Sequence, residues 1–189
     1  MKKKLVSFIL KLLGWKIYKH VDISNINKCV IAVAPHTSMM DFFIGWLAFY
    51  KLNIPVSFLI KKEFFLFPFG FFLKKLGGIP VKINRGSSLL YQAITMFNSN
   101  DKIFLVITPE GTRKYNAQWK KGFYFIALKT NVPILIAYID YKEKKGGVAQ
   151  IINPTGNYKE DLEKIQSFYK TVNAKYPEKF NLSRMYWDE

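Results

Sequence analysis

The chain has 189 residues, half of them hydrophobic and 17% aromatic, with 29 basic against 13 acidic side chains and a net charge of +16. That length supports one domain with a full core rather than two ordinary ones, and so apolar a composition excludes a disordered tail. The single cysteine, Cys29, excludes an internal disulfide and a cysteine-rich metal site.

A field of this sign attracts polyanions: nucleic acid, anionic lipid headgroups or phosphate-bearing substrates. The N-terminal segment narrows the choice. Lys2, Lys3 and Lys4 precede an apolar run, as in an export signal. However, Lys11 interrupts the run and no small-x-small cleavage site follows, so export is not expected. The segment is also too short and too charged to span a bilayer. On a helix, Leu5, Phe8, Ile9 and Leu12 form one stripe, with Lys3, Lys4 and Lys11 opposite and Trp15 and Tyr18 near the end. This is the pattern of a helix lying in a membrane interface, the alternative being an amphipathic helix packed on its own domain. Residues 1–20 are expected to form this helix, and residues 21–189 the domain it serves.

Cys29 to Ala34 reads as a buried strand ended by Pro35, and the lone thiol as structural. Thr37 to Tyr50 reads as a helix and Val56 to Ile60 as a strand. Phe64 to Leu76 is an aromatic stretch of helical length flanked by Lys61, Lys62, Lys74 and Lys75, and suits either an interface or the core. Then come a strand at Ile79–Ile83, a helix at Ser88–Asn98, a strand at Lys102–Thr108 and a helix at Trp119–Thr130. Strands at Pro133–Ile139 and Val148–Ile152 and an amphipathic helix at Glu160–Lys175 close the chain. Strands alternating with helices predict a single α/β domain with a largely parallel central sheet flanked by helices. In such sheets the chemistry gathers at the carboxyl ends of the strands.

Two motifs fall at such ends. In Ala34-Pro-His-Thr-Ser-Met-Met-Asp41, a helix starting just after His36 lets Asp41 fold back toward the imidazole. A carboxylate on one ring nitrogen fixes the tautomer and leaves the other free to take a proton. The same spacing also suits a helix start with its cap, Ser38 being able to cap it. Pro109-Glu-Gly-Thr-Arg113 follows the strand ending at Thr108. Gly111 permits a tight turn, so Glu110 and Arg113 emerge at the strand end. Arg113 can engage phosphate and Glu110 can accept from a substrate hydroxyl, or the two can pair with each other to close the loop. With His20 the only other histidine, no metal site is expected, and no G-x-S-x-G elbow supports a serine nucleophile.

Together these residues resemble the glycerolipid, or lysophospholipid, acyltransferase family, which includes the 1-acylglycerol-3-phosphate acyltransferases. H-x-x-x-x-D precedes P-E-G-T-R, and two further blocks stand in order. Gly77-Gly-Ile-Pro-Val81 with Arg85 resembles the block that binds the acceptor phosphate, and Val132-Pro-Ile134 the last block. The resemblance runs from about Ala34 to Ile139. It implies that His36 deprotonates the acceptor hydroxyl, which attacks an acyl thioester directly, and that Asp41 orients His36. It implies acceptor binding by Glu110, Gly111, Thr112 and Arg113, and phosphate binding by Arg85. The family often places that arginine two residues closer to the glycines, so Lys82 is an alternative. No metal or cofactor is implied; acyl-CoA or acyl carrier protein supplies the acyl group as co-substrate. The expected partners are membrane lipids and the donor, without nucleic acid. The expected place is the cytoplasmic face of the membrane, peripheral or monotopic. An acyl-thioester hydrolase is the first alternative. A non-enzymatic basic module for membranes or polyanions is the second, and it leaves His36, Asp41 and Glu110 without a purpose.

Overall fold

The computed structural model describes residues 3–66, 69–82 and 88–183. Among these residues seven strands make one sheet in the order β1-β7-β6-β2-β5-β3-β4. They are β1 (Lys16–Lys19), β2 (Lys28–Ala34), β3 (Val56–Lys61), β4 (Gly78–Val81), β5 (Ile103–Ile107), β6 (Ile134–Asp140) and β7 (Lys145–Ile152). Neighbours pair in parallel except β6 and β7. Only Tyr141 to Lys144 separate β6 from β7, and so short a connection allows a hairpin but no parallel crossover.

The centre is β2, between β5 and β6. Its residues Cys29 to Ala34 are buried on both faces, as the continuous apolar run requires. Val30, Ala32 and Ala34 face a layer containing α4 (Leu89–Ser99), α5 (Gly122–Thr130) and α6 (Tyr158–Tyr169). Cys29, Ile31 and Val33 face the other side, where α2 (Met39–Leu52) packs and α1 (Lys3–Leu12) packs on α2. Burial pushes the Cys29 thiol up to about 12, which makes it inert.

Four elements depart from their sequence-based expectation. The N-terminal helix stops at Leu12, where Gly14 takes φ 79°, and the alternating Lys16-Ile-Tyr-Lys19 instead pairs with β7 as an edge strand. The aromatic stretch opens with a short 3-10 turn, Lys62–Phe64, before α3 (Phe69–Lys75). The helix expected from Trp119 begins at Gly122, because the Trp119 ring is turned away to donate from Nε1 to the Asn181 carbonyl at 2.9 Å. The closing helix ends at Tyr169, a fully buried side chain whose hydroxyl lies 2.8 Å from the Ala32 carbonyl and 2.9 Å from that of Ala137. The chain beyond it leaves helical geometry and returns to the strand ends.

The apolar stripe of α1 is not spent on the core. Val6 and Leu10 are fully buried against α2, whereas Leu5, Phe8 and Leu12 are exposed. Among the described residues no helix is long and apolar enough to cross a membrane.

Candidate active site

Pro35 ends β2 through a cis Ala34–Pro35 peptide, and the chain then starts α2 within four residues. Ser38 is extended and caps the helix, its hydroxyl accepting from the Met40 amide at 3.1 Å. Asp41 is the third helical residue and reaches back to complete a capping box. Its Oδ2 accepts from the amides of Thr37 at 2.7 Å and Ser38 at 2.8 Å. The same oxygen lies 3.3 Å from His36 Nδ1. Oδ1 accepts the Tyr141 hydroxyl at 2.7 Å. The cap and the histidine partner are therefore one residue, and the four-residue gap between His36 and Asp41 is set by capping geometry.

Asp41 is only 3% exposed. Burial alone would raise its pKa, but the hydrogen bonds from His36, Tyr141 and Ser38 outweigh burial and hold the carboxyl below its ordinary range. An ionised Asp41 keeps the proton of His36 on Nδ1 and leaves Nε2 as the basic nitrogen. His36 keeps a side-chain exposure of 20% and lines the adjoining groove.

Next to β2, the chain leaves β5 through Pro109–Arg113. Gly111 has φ 67°, and a Cβ there would stand 2.8 Å from Lys120 Cγ, so a larger residue would strain this turn and displace the Lys120 side chain. Lys120 donates its amide to the Pro109 carbonyl at 2.7 Å, and Asn116 Nδ2 donates to the Glu110 carbonyl at 2.8 Å. The turn thereby drives the Glu110 side chain inward. It is 3% exposed, and its Oε2 accepts the His36 amide at 2.8 Å. Its Oε1 has no hydrogen-bond partner among the described residues. Burial pushes Glu110 up to about 8; the nearby Asp41 charge adds to this and the His36 amide partly opposes it. Near neutral pH the site thus holds one carboxylate, Asp41, and one neutral carboxyl, Glu110, which fastens the His36 backbone from below.

This arrangement makes stability depend on pH. Below about 4.5 Glu110 is protonated whether the chain is folded or not. Between about 4.5 and 8 the folded chain keeps a proton that the unfolded chain has released, so stability falls as pH rises. Glu110→Gln should remove this slope. Urea unfolding at pH 5 and pH 9 should show the variant losing less stability than the parent, by on the order of 4 kcal/mol. Equal losses in both chains would place the cost at another group.

A groove of about 830 Å³ opens beside His36. Its body is apolar, with Phe42, Phe49, Phe58 and Val106 among its lining, and the Phe42 and Phe58 rings lie 5.1 Å apart. Its lining also includes the polar residues His36, Asp41, Thr108, Arg113, Lys120 and Lys121. Of the residues singled out from the sequence, Gly111 and Arg113 line the groove with the His36–Asp41 pair. Thr112 instead uses its hydroxyl to accept the Lys114 amide at 3.2 Å. Arg85 falls outside the described residues. The backbone of Lys82 is held on both sides by the Gln92 side chain. Three residues came to light only in the folded chain. Lys120 and Lys121 stand at the start of α5, where a basic pair is an ordinary surface feature in sequence. Tyr141 lies a hundred residues from Asp41, and no spacing links the two.

Among the described residues no group of three or more His, Cys, Asp or Glu could hold a metal ion. No curated protein matches the sequence. The solved structure of the 1-acyl-sn-glycerophosphate (LPA) acyltransferase PlsC from Thermotoga maritima shares the fold, with a TM-score of 0.59. The two chains are 23% identical over 92% of this chain and 80% of that one. The profile of the Acyltransferase family matches residues 16–140, more than half of the chain and the span that carries His36, Asp41, Glu110 and Arg113. The chain belongs to the Acyltransferase family and is an acyltransferase.

Proposed function

We propose that the chain transfers a fatty acyl group from a thioester, acyl-CoA or acyl-ACP, to the hydroxyl of a lysophospholipid, with lysophosphatidic acid as the default acceptor. One observation carries this reading: the His36 imidazole, a set of apolar side chains and the cations Arg113, Lys120 and Lys121 line one groove. They suit a hydroxyl, an alkyl chain and a phosphate in turn.

In this mechanism His36 Nε2 takes the proton of the acceptor hydroxyl while the oxygen attacks the thioester carbonyl carbon. The new C–O bond forms and the C–S bond breaks. The departing sulfur takes the proton from the imidazolium, so ester and thiol leave and His36 is neutral again. Asp41 stabilises the imidazolium in between. Glu110 serves the reaction by holding the His36 backbone, and Arg85 joins the phosphate contacts. No metal or cofactor enters these steps.

The test is an assay that measures ester and free acid together, from palmitoyl-CoA or palmitoyl-ACP and lysophosphatidic acid. Ester should form at least tenfold faster than free acid. Free acid in place of ester would mark a hydrolase, and neither product would mark a binding protein.

The reading also puts the enzyme at a membrane surface, peripheral and on the cytoplasmic face. Leu5, Phe8 and Leu12 on α1, and Phe64, Leu66, Phe71 and Phe72 beside Lys61, Lys62, Lys74 and Lys75, are exposed apolar side chains next to basic ones. Deleting α1 is a poor test, because its Val6 and Leu10 are part of the core. The triple variant Leu5→Ser, Phe8→Ser, Leu12→Ser spares that packing. Its binding to anionic vesicles should fall about tenfold or more, since each apolar side chain withdrawn from water contributes about 1–3 kcal/mol. Unchanged binding would shift the contact to the aromatic segment at Phe64 to Phe72.

A further inference from the structure

The dyad has a second flank, built by residues beyond the matched span. On the β5 side of β2 stand Arg113, Lys120 and Lys121. On the β6 side the chain that follows α6 comes back to the strand ends and is fastened there. Asp140 Oδ2 accepts the amide of Asn173 at 3.1 Å and its Nδ2 at 3.0 Å. The Asn173 carbonyl accepts the Tyr141 amide at 2.9 Å. The Tyr176 amide donates to Thr37 Oγ1 at 3.3 Å, one residue from His36.

This stapled segment presents two lysines. Lys179 Nζ lies 4.2 Å from the centre of the Tyr176 ring. Lys175 Nζ lies 5.6 Å from the same ring and 5.9 Å from that of Tyr141, whose hydroxyl binds Asp41. Neither lysine forms an ion pair among the described residues. Asp140 is already engaged, its Oδ1 by the Glu143 amide and its Oδ2 by Asn173. A ring face beneath an ammonium restrains the side chain without neutralising it. The result is a pair of oriented cations with their charge still available.

The proposed reaction brings together two substrates, and each carries phosphate. If the acceptor phosphate uses the cations that line the groove, the carrier of the donor leaves the thioester on another side. Resting on that reading, we propose that Lys175 and Lys179, backed by Tyr176, bind the phosphate-bearing carrier of the acyl donor on the β6 side of the site. The chemistry recognised is the phosphate attached to a pantetheine arm, whether that arm ends in a nucleotide or on a carrier protein.

The experiment is steady-state kinetics on the full chain and on a Lys175→Gln, Lys179→Gln double variant. The donors are palmitoyl-CoA, palmitoyl-ACP and palmitoyl-pantetheine, which lacks phosphate. The KM for phosphate-bearing donors should rise about tenfold or more, from the loss of two charge-assisted contacts. The KM for palmitoyl-pantetheine and for the acceptor should stay within about twofold, as expected where the lost contact is absent. A Lys175→Arg, Lys179→Arg variant should restore most of the affinity. A rise with palmitoyl-CoA alone assigns the contact to the nucleotide phosphates, and a rise with both carriers assigns it to the phosphate they share. An unchanged KM for both carriers, or an equal rise with palmitoyl-pantetheine, overturns the assignment while transfer itself continues. No transfer by the unmodified chain from any thioester overturns the functional reading as well.

Discussion

His36→Ala should lower kcat by about 100- to 10,000-fold, the range over which a positioned base acts, with little change in stability. The imidazole is the group that meets the acceptor proton, and the one other histidine of the sequence, His20, is not among the residues that line the groove. His20 is exposed and lies against Tyr18 and Tyr138. The fold does not depend on the ring. What holds this loop is the His36 amide on Glu110 and the Asp41 cap on Thr37 and Ser38, and alanine keeps all of these. Single-turnover acyl transfer, read beside urea unfolding, separates chemistry from folding. Activity within a few-fold of the parent, in a folded variant, would remove His36 from the reaction.

Asp41→Asn is the second large loss, and it differs in kind. Three donors, the Thr37 and Ser38 amides and the Tyr141 hydroxyl, converge on this buried carboxylate with His36 Nδ1 beside them. An asparagine brings its own N–H groups into that set, so at least one donor loses its acceptor. An amide N–H facing Nδ1 also favours the wrong tautomer, with the proton on Nε2. We expect kcat to fall about 1,000-fold or more, since the tautomer no longer offers a base, and stability to fall by about 1–3 kcal/mol. Tyr141→Phe gives the graded form of the same effect. Removing that donor moves the Asp41 pKa upward from its depressed position, so the stability lost on acidification should be smaller than in the parent, as read by urea unfolding across the acid range. An acid stability profile unchanged in Tyr141→Phe would show that the Tyr141 hydroxyl has no part in holding Asp41.

The same linkage gives the pH dependence of stability at Asp41. Its folded pKa lies below the unfolded one, so its contribution is present above the unfolded pKa and is lost as pH falls through the folded pKa. Asp41 and Glu110 therefore press from opposite directions, Asp41 weakening the fold in acid and Glu110 weakening it toward pH 8.

Much of this was legible in the sequence. The continuous apolar run from Cys29 to Ala34 reads as a buried strand ended by Pro35, and the structure buries it on both faces. Strand and helix periods alternate along the chain and determine the layered α/β class. The His36–Asp41 pair was readable because both members lie within one turn of a helix start. Short-range geometry depends on few torsions, and a sequence specifies those directly.

Long-range geometry was another matter. Glu110 reads as an exposed acceptor at a strand end, yet the turn at Gly111 sends it inward to His36, 74 residues away. Tyr141 becomes a partner of Asp41 only because β6 lies beside β2. Lys16–Lys19 becomes a strand because the edge of β7 is free to take it, which local periodicity does not record. The closing helix ends at Tyr169, well short of the helical pattern, because Asn173 and Tyr176 make their bonds at the far end of the sheet. In each case the deciding contact joins residues that are distant in the chain, and only the register of the sheet brings them together.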